Sequence, residues 1–301
     1  MFDKIILHVG LHKTGTTSLQ NYFGKNRDKL KLQGISYPKL KVKEFTPNNH
    51  SWPIRNLIMS HPHKYHLNIA NNILKNDLKE VINSIDKQFV KLGSTVESTL
   101  LLSGEGISTL KTKELSRLNE KLQCISTEKA TIEVHYFTRN PTDYVSSVIQ
   151  QRLKGGTTEG IILSGLSKVS PLRRFMNHGA FERAFNDVTI IEHCYEDACT
   201  FPGGLEAYFA KAILNIDTSE FEPNISRDNS GLSDLSFQLI KYYLTHSQEY
   251  VRVPIEGTAY KRNIKALSQV KGGKFIITAE QKLKLLSLVN TKKISDDWTV
   301  F

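Results

Sequence analysis

The stretch LHVGLHKTGTTSLQ, residues 7–20, places two glycines, a lysine and a run of hydroxyl side chains at the end of an apolar segment. Gly10 and Gly15 permit positive φ and close backbone approach. A strand-to-helix turn there presents backbone N–H groups at a helix N-terminus, where the partial positive charge favours an anion. Thr14, Thr16, Thr17 and Ser18 add hydroxyl donors, Lys13 adds a full charge, and His12 lies beside it. The chemistry this composition suits is the holding of a phosphate-like group.

The spacing also limits which phosphate. The nucleotide-hydrolysing loop G-x-x-x-x-G-K-[ST] puts its lysine directly after the second glycine. Here the residues read GLHKTGTT, so Thr16 takes that position and Lys13 stands three residues upstream. A small-molecule kinase of that class would lose its usual contact to the β- and γ-phosphates, although that reading stays open, as does a non-catalytic nucleotide or polyanion binder. A second anion-binding candidate is YFTRNPTDYVSS, where Arg139 leaves a strand and Ser147 follows eight residues later. Arginine forks onto phosphate in bidentate fashion, and the carboxyl ends of parallel strands are where ligands bind. Two residues are candidate proton acceptors: Glu105 in LLSGEGIS, and His50 in PNNHSWPIR, whose imidazole needs little adjustment near neutral pH.

Together, GLHKTGTTS and RNPTDYVSS resemble the two signatures of the sulfotransferase superfamily, which uses 3′-phosphoadenosine 5′-phosphosulfate (PAPS) as donor. RDNSGLSDLS and FIITAEQKLKLLSLVN are similar, more loosely, to later segments of bacterial relatives. The resemblance implies a sulfotransferase that moves a sulfuryl group by in-line displacement onto a hydroxyl or amine. It implies that His12, Lys13, Thr14, Gly15, Thr16, Thr17 and Ser18 hold the 5′-phosphosulfate, and that Arg139 and Ser147 hold the 3′-phosphate. Lys13 then neutralises charge developing on the departing phosphate, and Glu105, with His50 as alternative, takes the acceptor's proton. A carbohydrate or glycan acceptor is preferred by the same resemblance. Tyr37, Lys39, Lys41, Lys43, Trp52 and Arg55, with Gln150, Gln151, Arg152 and Lys154, are the side chains expected to line its site. No metal is expected.

The elements that must position these residues alternate. Runs at 4–9, 99–103, 131–140 and 187–194 read as strands, each followed by a helical pattern, and 67–92 reads as one long amphipathic helix. The sequence therefore predicts an α/β fold: a P-loop-type parallel sheet with helices on both faces, a mostly helical part beyond 232, and a single domain over 1–301. Residues 40–66 and 155–185 read as irregular excursions. At 301 residues, 39% hydrophobic and 23% charged, the composition is that of a globular chain. The net charge of +10 suits an anionic donor or acceptor. No nucleic-acid motif accompanies it. Three cysteines without a C-x-x-C pair, and no signal-like or membrane-length segment, predict a cytoplasmic protein, with peripheral membrane contact compatible.

Overall fold

A computed structural model describes residues 1–156, 177–223, 231–250, 258–276 and 278. The described chain divides into two compact units, one built on Met1–Thr138 and 177–223, the other on 139–156 and 231–276.

The first unit contains a five-stranded, all-parallel sheet in the order β2–β3–β1–β4–β5. Its strands are β1 (Phe2–His8), β2 (Ile35–Ser36), β3 (Thr99–Ser103), β4 (Ser126–Thr138) and β5 (Thr189–Cys194). The near-continuous apolar runs of β1 and β3 are what a strand buried on both faces requires. Ile5, Leu7, Leu100, Leu102, Val134 and Tyr136 point into one core cluster. Ile6, Leu101 and Phe137 point into the other. On the first face lie α3 (Ser51–Ile58), α5 (Leu78–Leu92), α6 (Thr112–Gln123) and α8 (His178–Ala184), which contribute Ile54, Phe89, Leu118 and Phe181. The second face is covered by α1 (Thr16–Lys25) and α2 (Arg27–Leu32), with Leu19, Phe23 and Leu30. It also takes α9 (Tyr195–Thr200), α10 (Gly204–Tyr208) and the π turn Phe209–Ile213.

The second unit has its own apolar core, in which α7 (Pro141–Lys154) and α11 (Asp234–Tyr250) contribute Val145, Ile149, Phe237 and Ile240, and α12 (Thr258–Leu267) contributes Ile264. Pro141 opens α7 and the Asn140 side chain caps it, accepting from Thr142 N at 3.0 Å. Beyond 232 the described residues include the helices α11 and α12. Residues 227–230 of the serine-rich segment and nearly all of the C-terminal pattern from Thr278 on lie outside the described residues.

Several expectations are corrected. The pattern at 67–92 is not one helix: α4 (His66–Ala70) ends before α5 begins at Leu78. The asparagines are the reason. Asn71 donates its side-chain amide back to Leu67 O at 2.7 Å, and Asn72 adopts a left-handed φ of 53°, a conformation that ends helices. The 40–66 excursion contains α3 and a short 3-10 turn at Pro62–Lys64. β4 starts earlier than expected, at Ser126, and the two-residue β2 had no readable pattern.

The excursion is shaped by a buried polar hub. Asn68 is fully buried, accepts from Trp52 Nε1 at 2.7 Å, and donates to Asn56 Oδ1 at 2.7 Å and Pro62 O at 2.8 Å. A buried polar group left without its partner costs more than the bond itself contributes. Asn68→Ala is therefore expected to destabilise the protein by about 2–4 kcal/mol. Urea unfolding reads this as a lower midpoint at unchanged slope.

Candidate functional site

β1 lies at the centre of the sheet, and its pairing continues past its last residue. Val9 N donates to His135 O at 2.9 Å, Phe137 N to Gly10 O at 2.7 Å, and Leu11 N to Phe137 O at 3.3 Å. The chain then turns into α1 through a loop with three positive φ values: 109° at Gly10, 70° at Lys13 and 72° at Gly15. For lysine this conformation is strained, and such strain concentrates at functional sites. Gly15 is the N-cap of α1 and, having no side chain, makes no capping hydrogen bond. The first N–H groups of a helix have no intrahelical partner, so Thr16, Thr17 and Ser18 form the turn that faces any anion there.

The hydroxyls divide into different roles. Thr14 is buried and donates to Leu11 O at 2.6 Å, so it braces the loop from within. Thr16 is buried and Thr17 exposed. Ser18 donates to Glu206 Oε1 across the loop. Glu206 sits on α10, whose neighbour Leu205 approaches Gly15 so closely that a Cβ there would lie 2.3 Å from Leu205 Cδ2. Tyr195 packs on the same spot, 3.3 Å from that Cβ position. The α1 N-terminus thus already draws one carboxylate, as its dipole favours. His12 and Lys13 are half-buried in the loop.

Glu105 is brought to this loop. A Cβ on Gly10 would stand 3.1 Å from Glu105 Cβ and 3.3 Å from its Cα. Glu105 Oε2 accepts from Gln20 Nε2 at 3.1 Å and from Asn49 Nδ2 at 2.8 Å. The glycines beside Glu105 serve packing rather than ligand approach. A Cβ on Gly104 would meet Ser51 N at 2.7 Å, and one on Gly106 would meet Arg55 Nε at 2.9 Å. Their absence of side chains lets the first turn of α3 seat against the carboxylate's turn.

His50 has a different place from that expected of a proton acceptor. It is fully buried, its Nδ1 accepts from Ser103 N at 2.9 Å, and its Nε2 lies 2.9 Å from Pro38 O. The accepting Nδ1 requires the proton on Nε2, which donates to Pro38. Both ring nitrogens are committed, so neither can take an acceptor's proton, and burial holds the pKa down at about 4. His8, also fully buried, lies with Nδ1 2.8 Å from Ser103 Oγ, and burial lowers its pKa to about 3. Two neutral histidines thus brace Ser103, two residues before Glu105.

The aromatic side chains expected to line a sugar site are structural. Trp52 is bonded to Asn68, and Tyr37 is buried with its hydroxyl donating to Asn48 O at 2.6 Å. Arg55 donates from Nε and Nη2 to Gly106 O, and Lys43 pairs with Asp77 at 2.9 Å. Lys39 and Lys41 remain exposed. In the second unit, Gln150 accepts from Leu232 N at 2.6 Å. Arg139 is the first residue beyond β4, and Ser147 is half-buried on α7. Gln20, Asn49 and Glu206 were not singled out by sequence. The one readable signal was Gln20, a polar residue one turn beyond Thr16 on an otherwise core-facing stripe.

A histidine buried neutral binds its proton less readily when folded, so the unfolded chain takes up more protons between the folded pKa and the ordinary value of 6.5. Stability is expected to be complete above pH 6.5 and to fall as pH drops towards 4. His8, His50 and His193 all contribute; burial lowers His193 to about 4. His50→Gln should lower stability at pH 7 yet lessen the loss between pH 7 and pH 5, as read by urea unfolding at both values.

Compared with known proteins, the chain matches no family model and no curated sequence.

Proposed function

We propose that the protein is a PAPS-dependent sulfotransferase that sulfates a hydroxyl or amine, with a carbohydrate or glycan as the favoured acceptor class. The observation that carries the reading is the juxtaposition of a strained, lysine-bearing loop at a helix N-terminus with a carboxylate held against it. Two features support a phosphosulfate at this loop: Gly10 and Gly15 let the backbone approach Glu105 and Leu205 closely, and Gly15, as N-cap of α1, offers no side chain to that helix end. Lys13, Thr16, Thr17 and Ser18, with His12 and Gly15, would hold that group, and Thr14 would act by bracing the loop. The signature resemblance gives Arg139 and Ser147 the 3′-phosphate. When bound, the donor supplies a sulfuryl group whose S–O bond to the 5′-phosphate breaks as the acceptor oxygen bonds to sulfur, the electron pair leaving with the phosphate.

The chain's own residues then do three things. Lys13 neutralises charge at the loop as it builds up on the phosphate side. Glu105 accepts the proton that the acceptor must lose. The two buried histidines behind Ser103 keep the Glu105 turn in place without titrating near neutral pH. Cytoplasmic location fits three cysteines that form no disulfide. Thr16 at the position of an ATPase lysine disfavours a phosphoryl-transfer reading.

Transfer of label from [35S]PAPS tests the proposal. Lys13→Ala is expected to lower turnover about a hundredfold, and Arg139→Ala chiefly to weaken donor binding. Glu206 competes for the donor's anion site, so Glu206→Gln is expected to tighten 3′,5′-ADP about three- to fivefold, measured by calorimetry. Unchanged affinity in Glu206→Gln would place the phosphate away from Ser18.

A further inference from the structure

Glu105 is anchored through one oxygen only. Oε2 accepts both Gln20 Nε2, at 3.1 Å, and Asn49 Nδ2, at 2.8 Å. Among the described residues no hydrogen bond ends on Oε1. Both donors are themselves fixed. Gln20 is 3% exposed, on the helix whose first turn is the phosphate loop. Asn49 Oδ1 accepts from Ser51 N at 2.8 Å, which turns its amide nitrogen towards Glu105. A carboxylate oxygen offers two lone-pair directions, and two amide N–H donors take both on Oε2.

We infer that Gln20 and Asn49 are positioning residues: an amide clamp that fixes the Glu105 side chain and leaves Oε1 as the atom that receives the acceptor's proton. The inference rests on the sulfotransferase reading above and extends it to residues outside both signatures. A purely apolar stripe would serve the packing of α1 as well, and Leu19, Tyr22 and Phe23 supply one. An amide at position 20 is instead spent on a carboxylate. Gln20 stands one turn beyond Thr16, so a single rigid helix sets both the phosphate end and the proton acceptor. Their separation is then fixed by helix geometry, with the Gly10–Glu105 contact as the third constraint. In the step itself, the proton passes from the acceptor oxygen to Oε1 while that oxygen's electron pair forms the bond to sulfur.

The test compares Gln20→Met and Asn49→Ala in wild-type and Glu105→Gln backgrounds. Transfer from [35S]PAPS is followed to a panel of unsulfated hexose and hexosamine oligosaccharides, and to water. Each variant is expected to lower kcat about tenfold, the loss typical of a hydrogen bond to a charged group, with KM for PAPS within about twofold. Neither should lower kcat further once Glu105 is Gln, because the clamp then has nothing to orient. Wild-type kcat in both variants, or equal losses in both backgrounds, overturns the clamp while leaving the sulfotransferase reading intact. A wild-type protein that neither transfers nor hydrolyses the labelled group overturns that reading and the clamp with it. Half-buried Asn49 carries the comparison if Gln20→Met loses its melting transition.

Discussion

Contact between the Gly10 backbone and Glu105 exists only because residue 10 has no side chain: a Cβ there would stand 3.1 Å from Glu105 Cβ, at a φ of 109° that other residues resist. Parallel pairing of β1 with β3 and β4 delivers both residues to the same sheet edge. Gly104 N donates to His8 O at 2.8 Å, so the ladder extends to the residue before the carboxylate. Everything placed around the loop follows from this approach. α1 begins just after the loop, at Thr16, and one turn later Gln20 reaches Glu105.

Neutral, buried polar groups support the surroundings of that contact. His8 and His50 hold Ser103 from two sides, and Asn49 ties the Glu105 turn to the first residue of α3. Both His50 nitrogens are bonded, whereas His8 Nε2 is buried with no hydrogen-bond partner among the described residues. The opposite side of the loop differs. There Glu206 reaches Ser18 from α10, so the anion-attracting end of α1 faces an acid of its own.

How much of this was legible in the sequence depended on the range of the interactions. The loop and α7's start were readable because glycine, proline and an asparagine cap act locally, at fixed offsets. The sheet's parallel character was readable from runs such as KIILHV and TLLLS, apolar on both faces. The break within 67–92 is hidden from an apolar period because it is made by the side chain of Asn71 and the left-handed backbone of Asn72. His50 looked like a proton acceptor because its polar neighbours suggested exposure, whereas its partners, Pro38 and Ser103, are distant in sequence. Gln20, Asn49 and Glu206 act through contacts 85, 56 and 188 residues away, which no local pattern encodes.

On the proposed sulfotransferase reading, the protein should prefer a 3′-phosphorylated nucleotide, with no need for magnesium. Titration calorimetry of the full chain with 3′,5′-ADP and with magnesium–ATP decides this. Tighter binding of 3′,5′-ADP, unaffected by removing magnesium, is the expected result; tighter binding of magnesium–ATP would contradict it.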